Sequence, residues 1–205
     1  MTRDARRAQV LEVALHEFAR DGYYNVSMDD IAARAAVSKP VLYRHFTSKL
    51  DLYLATVEYR GAQLARTVRT AVASVDLSSA TPEEAHELVR ALVRTYFEFV
   101  EDVGEGSSLL FESDITRDPA LRLRVERAAE GASQIIADTL EEITGRSAED
   151  AALMACALTS MARAAATSRF RADDGHSVED AVALVAQLAW GGVRHLLPDD
   201  ASIRS

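Results

Sequence analysis

Lysine is almost missing from this chain. Of 23 basic residues among 205, only Lys39 and Lys49 are lysines. Cysteine occurs once, as Cys156, so an intrachain disulfide is excluded and a reducing, cytoplasmic setting is expected. In its Ala/Leu/Met-rich surroundings Cys156 reads as a small buried hydrophobe. No apolar run reaches the length of a membrane span. Met1-Thr2-Arg3-Asp4 leads into a mixed-charge helix and not into the apolar stretch of a signal peptide. There is no alternating strand pattern, no repeat and no low-complexity tract. G-x-S-x-G, H-E-x-x-H and phosphate-loop patterns are all missing. His16, His45, His86, His176 and His195 are scattered without metal-ligand spacing. Neither an enzyme nor a bound metal or cofactor is expected.

Apolar residues make up 48% of the chain and charged residues 27%, as in an ordinary globular protein with room for one or two domains. The net charge is −9, but it is divided unevenly. Residues 1–50 carry eight Arg/Lys against six Asp/Glu, a balance of +2, and the remainder carries −11. An acidic bulk repels nucleic acid, so any DNA contact belongs at the basic end.

That end contains SMDDIAARAAVSKPVLYRHFTSK, residues 27–49. Ser27 with Asp30 forms a capping box, and Ile31 and Ala35 share a face of the helix that follows. Ala36-Val37-Ser38 makes a turn. Ser38 is placed to cap a second helix over about 39–46, with Pro40 tolerated in its first turn. Leu42 and Phe46, spaced i, i+4, anchor it from behind, as a two-turn helix cannot stand alone in water. Its open side carries Lys39 with Tyr43 and Pro40 with Arg44, groups suited to phosphate oxygens and guanine edges. Val41 can meet a thymine methyl and His45 can donate to a phosphate. Ser48 with Asp51 starts the next helix. The pattern is a helix-turn-helix, whose second helix enters the major groove. The residues assigned to DNA contact are Ser27, Ser38, Lys39, Pro40, Val41, Tyr43, Arg44, His45 and Lys49. Having Lys39, Tyr43, His45 and Lys49 intact argues against an adaptor that has lost DNA binding.

The rest of the chain reads as helices. Arg3 to Arg20 form the first, striped by Val10, Val13, Ala14, Leu15 and Phe18 and ended by Asp21-Gly22. Arg3, Arg6 and Arg7 suit equally a solvated helix end or a short arm reaching DNA phosphate. A long helix runs from Lys49 to about Val75, and a polar break follows at 76–80. Thr81-Pro82-Glu83-Glu84 opens the next helix. After a loop at 102–108, a short helix is expected over Ser107–Ile115. Further helices run from Asp118-Pro119 to Thr144, closed by Gly145, from about Ala148 to Phe170, and from a Ser177/Asp180 cap to about His195. The segment AALMACALTSMARAAA is apolar on nearly every side, so a second subunit is expected to cover part of it. Gly191-Gly192 would let another backbone approach, and residues 198–205 read as a frayed tail.

Residues 8–54 resemble the DNA-binding domain of TetR-family transcription regulators. The match lies in Ser27, Ile31-Ala32, Val37-Ser38, Leu42-Tyr43, His45-Phe46, Ser48-Lys49 and Leu52. The family usually has Gly where this chain has Ala36. If that position is left-handed, Ala costs about 1 kcal/mol or somewhat more. The resemblance implies an all-α protein, with residues 1–50 as a three-helix DNA-binding domain and 51–205 as a helical ligand-binding and dimerisation domain. It also implies a homodimer on a palindromic double-stranded operator, with two recognition helices about 34–36 Å apart.

In that frame a cavity is expected between the C-terminal helices, lined by Leu92, Tyr96, Phe97, Leu110, Phe111, Leu121, Val125, Leu158 and Met161. Arg163, a charge inside an apolar helix, must pair, for instance with Glu112 or Asp114, or reach solvent, or else anchor an anionic ligand group. The last two helices are expected to form a four-helix dimer interface through Ala155, Thr159, Leu184, Leu188, Trp190 and Gly191. The pieces SKPVLYRHF, SKLDLYLA, LLFESDITRDP and AQLAWGGVRHLLP are similar to TetR-type regulators of fatty-acid synthase genes in actinobacteria. That narrower resemblance implies control of lipid-synthesis genes with a long-chain acyl-CoA as effector. A repressor of an efflux or catabolic gene answering to another hydrophobic small molecule is the alternative.

Overall fold

The computed structural model describes residues 2–77, 79, 81–104, 119–172 and 177–195. Among these, every regular element is a helix, and none is long and apolar enough to cross a membrane. The short helix expected over Ser107–Ile115 and the tail at 198–205 lie outside the described residues. The chain divides into two compact units, residues 1–63 with 103–130 and residues 64–102 with 131–205.

In the first unit, α1 spans Arg3–Asn25, with Thr2 as its N-cap accepting from the Ala5 N–H. Val10, Leu11, Ala14, Leu15 and Phe18 form its buried stripe. The expected end at Asp21-Gly22 is instead a break. Gly22 takes φ 76°, ψ 159°, and a further helical turn follows. That backbone region is essentially restricted to glycine. α2 spans Met28–Arg34 behind the complete Ser27/Asp30 capping box. The Asp30 carboxyl is held below the ordinary range by hydrogen bonds from the Ser27 hydroxyl and N–H.

The turn after α2 is a full Schellman motif. The Val37 N–H donates to the Ala32 carbonyl at 3.0 Å and the Ala36 N–H to Ala33 at 3.2 Å. Ala36 itself sits at φ 51°, the left-handed conformation in question. Next, α3 spans Lys39–His45. Ser38 is its N-cap residue, but its hydroxyl makes no capping bond. Pro40 removes the N–H at the second position, and the Val41 N–H is taken by the Ser38 carbonyl at 2.9 Å. Leu42 and Phe46 are buried, and they fix this two-turn helix to the scaffold.

α4 spans Lys49–Ala73 without interruption, so one helix supplies residues to both units. The Ser48 hydroxyl caps the Asp51 N–H, while the Asp51 carboxylate reaches back one residue further than expected, to the Thr47 N–H at 2.7 Å. Residues 52–57 of α4 are all buried. Tyr53 packs edge-on against Phe18, with ring centroids 5.3 Å apart, which explains why the first unit extends beyond residue 50.

The second unit draws on α5 (Pro82–Val103), α6 (Pro119–Thr144), α7 (Ala148–Ala172) and α8 (Val178–Val193). The Thr81/Glu84 box opens α5, with the Thr81 N–H on the Glu84 carboxylate at 2.8 Å, and Gly145 closes α6 at φ 65°. Phe97, Val100, Ile136 and Leu140 anchor the core. α7 brings to it only alanines as fully buried residues, Ala151, Ala155, Ala162 and Ala166, which let the neighbouring helices approach closely. Arg90 and Arg94 converge on Glu179, whose carboxyl is pushed down to about 2 by those two hydrogen-bonded guanidiniums.

Candidate nucleic-acid interface

The buried side of α3 is apolar, and its other side faces solvent with the chemistry the sequence indicated. Lys39, Pro40, Tyr43 and Arg44 are exposed, and Val41 and His45 are half-buried. Tyr43 leaves 47% of its surface accessible, a large aromatic side chain open to solvent. The Lys39 ammonium meets the Asp29 carboxylate at 2.6 Å, and that hydrogen bond raises its pKa. Both groups are well exposed, so a phosphate oxygen can take the place of Asp29. Ser38 is exposed with its hydroxyl free of capping duty, whereas Ser27 spends its hydroxyl on the α2 cap.

Lys49, at the start of α4, is half-buried. Its ammonium donates to the Tyr23 carbonyl at 3.0 Å and lies 4.5 Å from the Tyr23 ring centroid. It meets carbonyls at the end of α1 and ties that end to the start of α4.

Sequence spacing leaves Arg3, Arg6 and Arg7 without a decided role. All three lie on the first two turns of α1, so they form no flexible arm. The Arg7 guanidinium stacks 5.0 Å from the Phe46 ring centroid, docking α1 on the end of α3. Arg3 and Arg6 thereby line a groove of about 600 Å³ together with Thr2, Val41, Arg44 and His45. Burial, and then the charges of Arg3, Arg44 and Arg7, hold the His45 imidazole below its ordinary pKa. A cation–π pairing of residues as far apart in the chain as Arg7 and Phe46 is a long-range fact that helical spacing does not contain.

The residues assigned to a ligand cavity are dispersed between the two units. Tyr96 and Phe97 are buried in the core of the second unit, with Leu92, Leu158 and Met161 half-buried against it. Val125 is buried and belongs to the first unit. Leu110, Phe111, Glu112 and Asp114 lie outside the described residues, as does the Leu121 side chain. Burial raises the Tyr96 phenol pKa, and the nearby Arg163 charge opposes that rise.

Of the residues assigned to a dimer interface, Leu184 and Leu188 are 67% and 66% exposed on one face of α8, with Gly191 continuing it. Thr159 is half-buried, and Trp190 is half-buried and stacked on His86 at 5.7 Å. Ala155 is completely buried within its own subunit, so it offers no surface to a second one. The exposed side of α7 instead presents Leu153, 71% accessible, and Cys156, which is exposed and not the buried hydrophobe expected. A helix apolar all round gives no way to tell which side faces inward.

Residues 10–56 match the sequence profile of the tetR family of bacterial regulatory proteins. The chain is 35% identical over 196 residues to the HTH-type transcriptional activator FasR of Mycolicibacterium smegmatis, covering 96% of this chain and 86% of that one. A TetR-like transcriptional regulator from Rhodococcus superposes with a TM-score of 0.69 at 28% identity, over 94% of this chain and 98% of that one. The regulator FadR from Bacillus subtilis, in a structure with stearoyl-CoA, superposes with a TM-score of 0.70 at 19% identity over 90% and 98% of the two chains, a likeness of fold. A helix-turn-helix with its polar face open, matched both locally and along nearly the whole chain, makes this protein a member of the TetR family of transcription regulators and not an enzyme.

Proposed function

We propose that this regulator controls genes of lipid or fatty-acid synthesis as a homodimer on a palindromic operator, with a long-chain acyl-CoA as its effector. The observation that carries the lipid reading is the 35% identity to FasR over 96% of the chain, well beyond the 10–56 segment common to the family. The fold shared with a FadR captured with stearoyl-CoA is in keeping with it. In this reading Lys39, Tyr43, Arg44 and His45 meet DNA. Leu92, Tyr96, Phe97, Leu158 and Met161 border the acyl site and Arg163 faces its anionic end. The face of Leu153, Leu184, Leu188 and Gly191 pairs with its counterpart in the partner. Residues 1–50 act as the DNA-binding domain and 51–205 as the effector and dimer domain.

The mechanism is a population shift. Acyl-CoA favours one arrangement of the C-terminal helices, α4 carries the change because it is one helix from Lys49 to Ala73, and the spacing of the recognition helices alters. An effector with equal affinity for both arrangements would do nothing.

Native mass spectrometry of the purified protein, followed by lipid extraction, tests the effector. A co-purified long-chain acyl-CoA or fatty acid, with operator binding that responds to it and a Leu158→Trp variant that no longer does, is the expected result. A folded Leu158→Trp variant with unchanged acyl-CoA affinity refutes the site. Separately, Lys39→Ala and Tyr43→Ala should each weaken DNA binding and leave the dimer intact.

A further inference from the structure

We infer that the groove between the first turns of α1 and the end of α3 is a second DNA-binding surface, one that grips the operator's phosphate backbone beside the recognition helix. The inference rests on α3 binding DNA and adds to it Thr2, Arg3 and Arg6 of the α1 start, which lie outside the helix-turn-helix. Six residues line the groove, Thr2, Arg3, Arg6, Val41, Arg44 and His45. Three are arginines, one is an imidazole and none is acidic. In a chain whose net charge is −9, a concave surface carrying only cationic and neutral side chains is a local inversion of sign.

The α1 side of the groove is held in place. Thr2 caps α1, so Arg3 and Arg6 fall one turn apart on the same side of the helix. The Arg6 guanidinium donates to the Gln9 amide oxygen at 3.2 Å, and the Gln9 amide nitrogen donates in turn to the Ala35 carbonyl at 3.4 Å, in the turn of the motif. Arg7 clamps the same stretch of α1 on Phe46. The groove therefore has a fixed position relative to α3. It also lies at the positive end of the α1 dipole, which favours an anion.

Three of its members, Val41, Arg44 and His45, come from α3 itself. Val41 and Arg44 belong to the face assigned to the major groove, so a duplex seated on α3 brings its backbone into the Arg3–Arg6 groove. Phosphate contacts set register and affinity without reading sequence, and each adds to the salt dependence of binding.

The test uses the full-length protein and a duplex enriched by it from a random-sequence pool, together with an unrelated duplex of equal length. Affinity is measured across a salt series for wild type, Arg3→Gln/Arg6→Gln, Arg3→Lys/Arg6→Lys and Tyr43→Ala. The Gln pair should weaken binding to both duplexes alike and flatten the plot of log affinity against log salt by about 0.9 for each phosphate left without its cation. The Lys pair should restore the slope, because a point charge suffices for a phosphate. Tyr43→Ala should instead reduce discrimination between the duplexes. A Gln pair with wild-type affinity and slope, beside a Tyr43→Ala variant that no longer discriminates, overturns the role of the groove and leaves α3 standing. Failure of the pool to yield any enriched duplex overturns the DNA-binding role and this inference with it.

Discussion

Ala36→Gly should make this protein more stable. Ala36 is the C′ residue of the Schellman motif that ends α2, and it sits at φ 51° with a Cβ that the left-handed conformation penalises. For an L-residue with a side chain the penalty is about 1–2 kcal/mol. Glycine removes it but brings extra freedom to the unfolded chain, worth about 0.5–1 kcal/mol. Taking the middle of each range, the difference leaves a net gain of about 0.8 kcal/mol. For a chain of this length that corresponds to a rise in Tm of roughly 2–3 °C. Neither hydrogen bond of the motif is touched, since both use backbone atoms. Urea unfolding followed by circular dichroism, at one fixed protein concentration, measures the change without a contribution from mass action on a dimer. The same substitution three residues earlier is the control. Ala33 is exposed inside α2, and Ala33→Gly should lose about 1 kcal/mol. Opposite signs at 33 and 36 support the reasoning. Loss of stability at both positions would show that the Ala36 conformation costs less than the entropy of a glycine, and would refute it.

Three further outcomes are expected. DNA binding should strengthen as pH falls from about 8 to 6: His45 faces Arg3, Arg6 and Arg7 of α1 and Arg44 of α3, and burial followed by charges from three of these depresses its pKa. A phosphate alongside would raise that pKa again, so binding takes up a proton, and His45→Gln should flatten the pH profile read by fluorescence anisotropy. Leu184→Glu and Leu188→Glu should convert dimer to monomer in sedimentation velocity without loss of helical signal, because each side chain is two-thirds exposed in the subunit; a persisting dimer would move the interface elsewhere. Gly22→Ala should cost about 1–3 kcal/mol in thermal unfolding. The cost would come from the backbone alone, as a Cβ there meets nothing within 4 Å, and an unchanged Tm would contradict the strain at φ 76°.

What the sequence determined by itself is local. Capping boxes at Ser27/Asp30 and Thr81/Glu84, Pro at a first turn and Gly145 at a helix end act within four residues, so a reader of spacing finds the helix-turn-helix and most of the described helices at nearly their true limits. The polar face of α3 was legible for the same reason: Leu42 and Phe46, one turn apart, define which side is buried and thereby which side is not. Tertiary structure alone decided the rest. Spacing places Lys49 at a helix start, but only the fold shows that the end of α1 returns to it and meets its ammonium with the Tyr23 carbonyl. Arg3 and Arg6 had no assigned partner surface until Arg7 on Phe46 brought α1 beside α3. On α7, where nearly every residue is apolar, periodicity carries no information about direction. Only packing against α8 and the core shows that Ala155 points inward and Leu153 and Cys156 outward. Contacts between residues distant in the chain depend on how whole helices dock, and a pattern that repeats every 3.6 residues along one helix does not encode the docking of another.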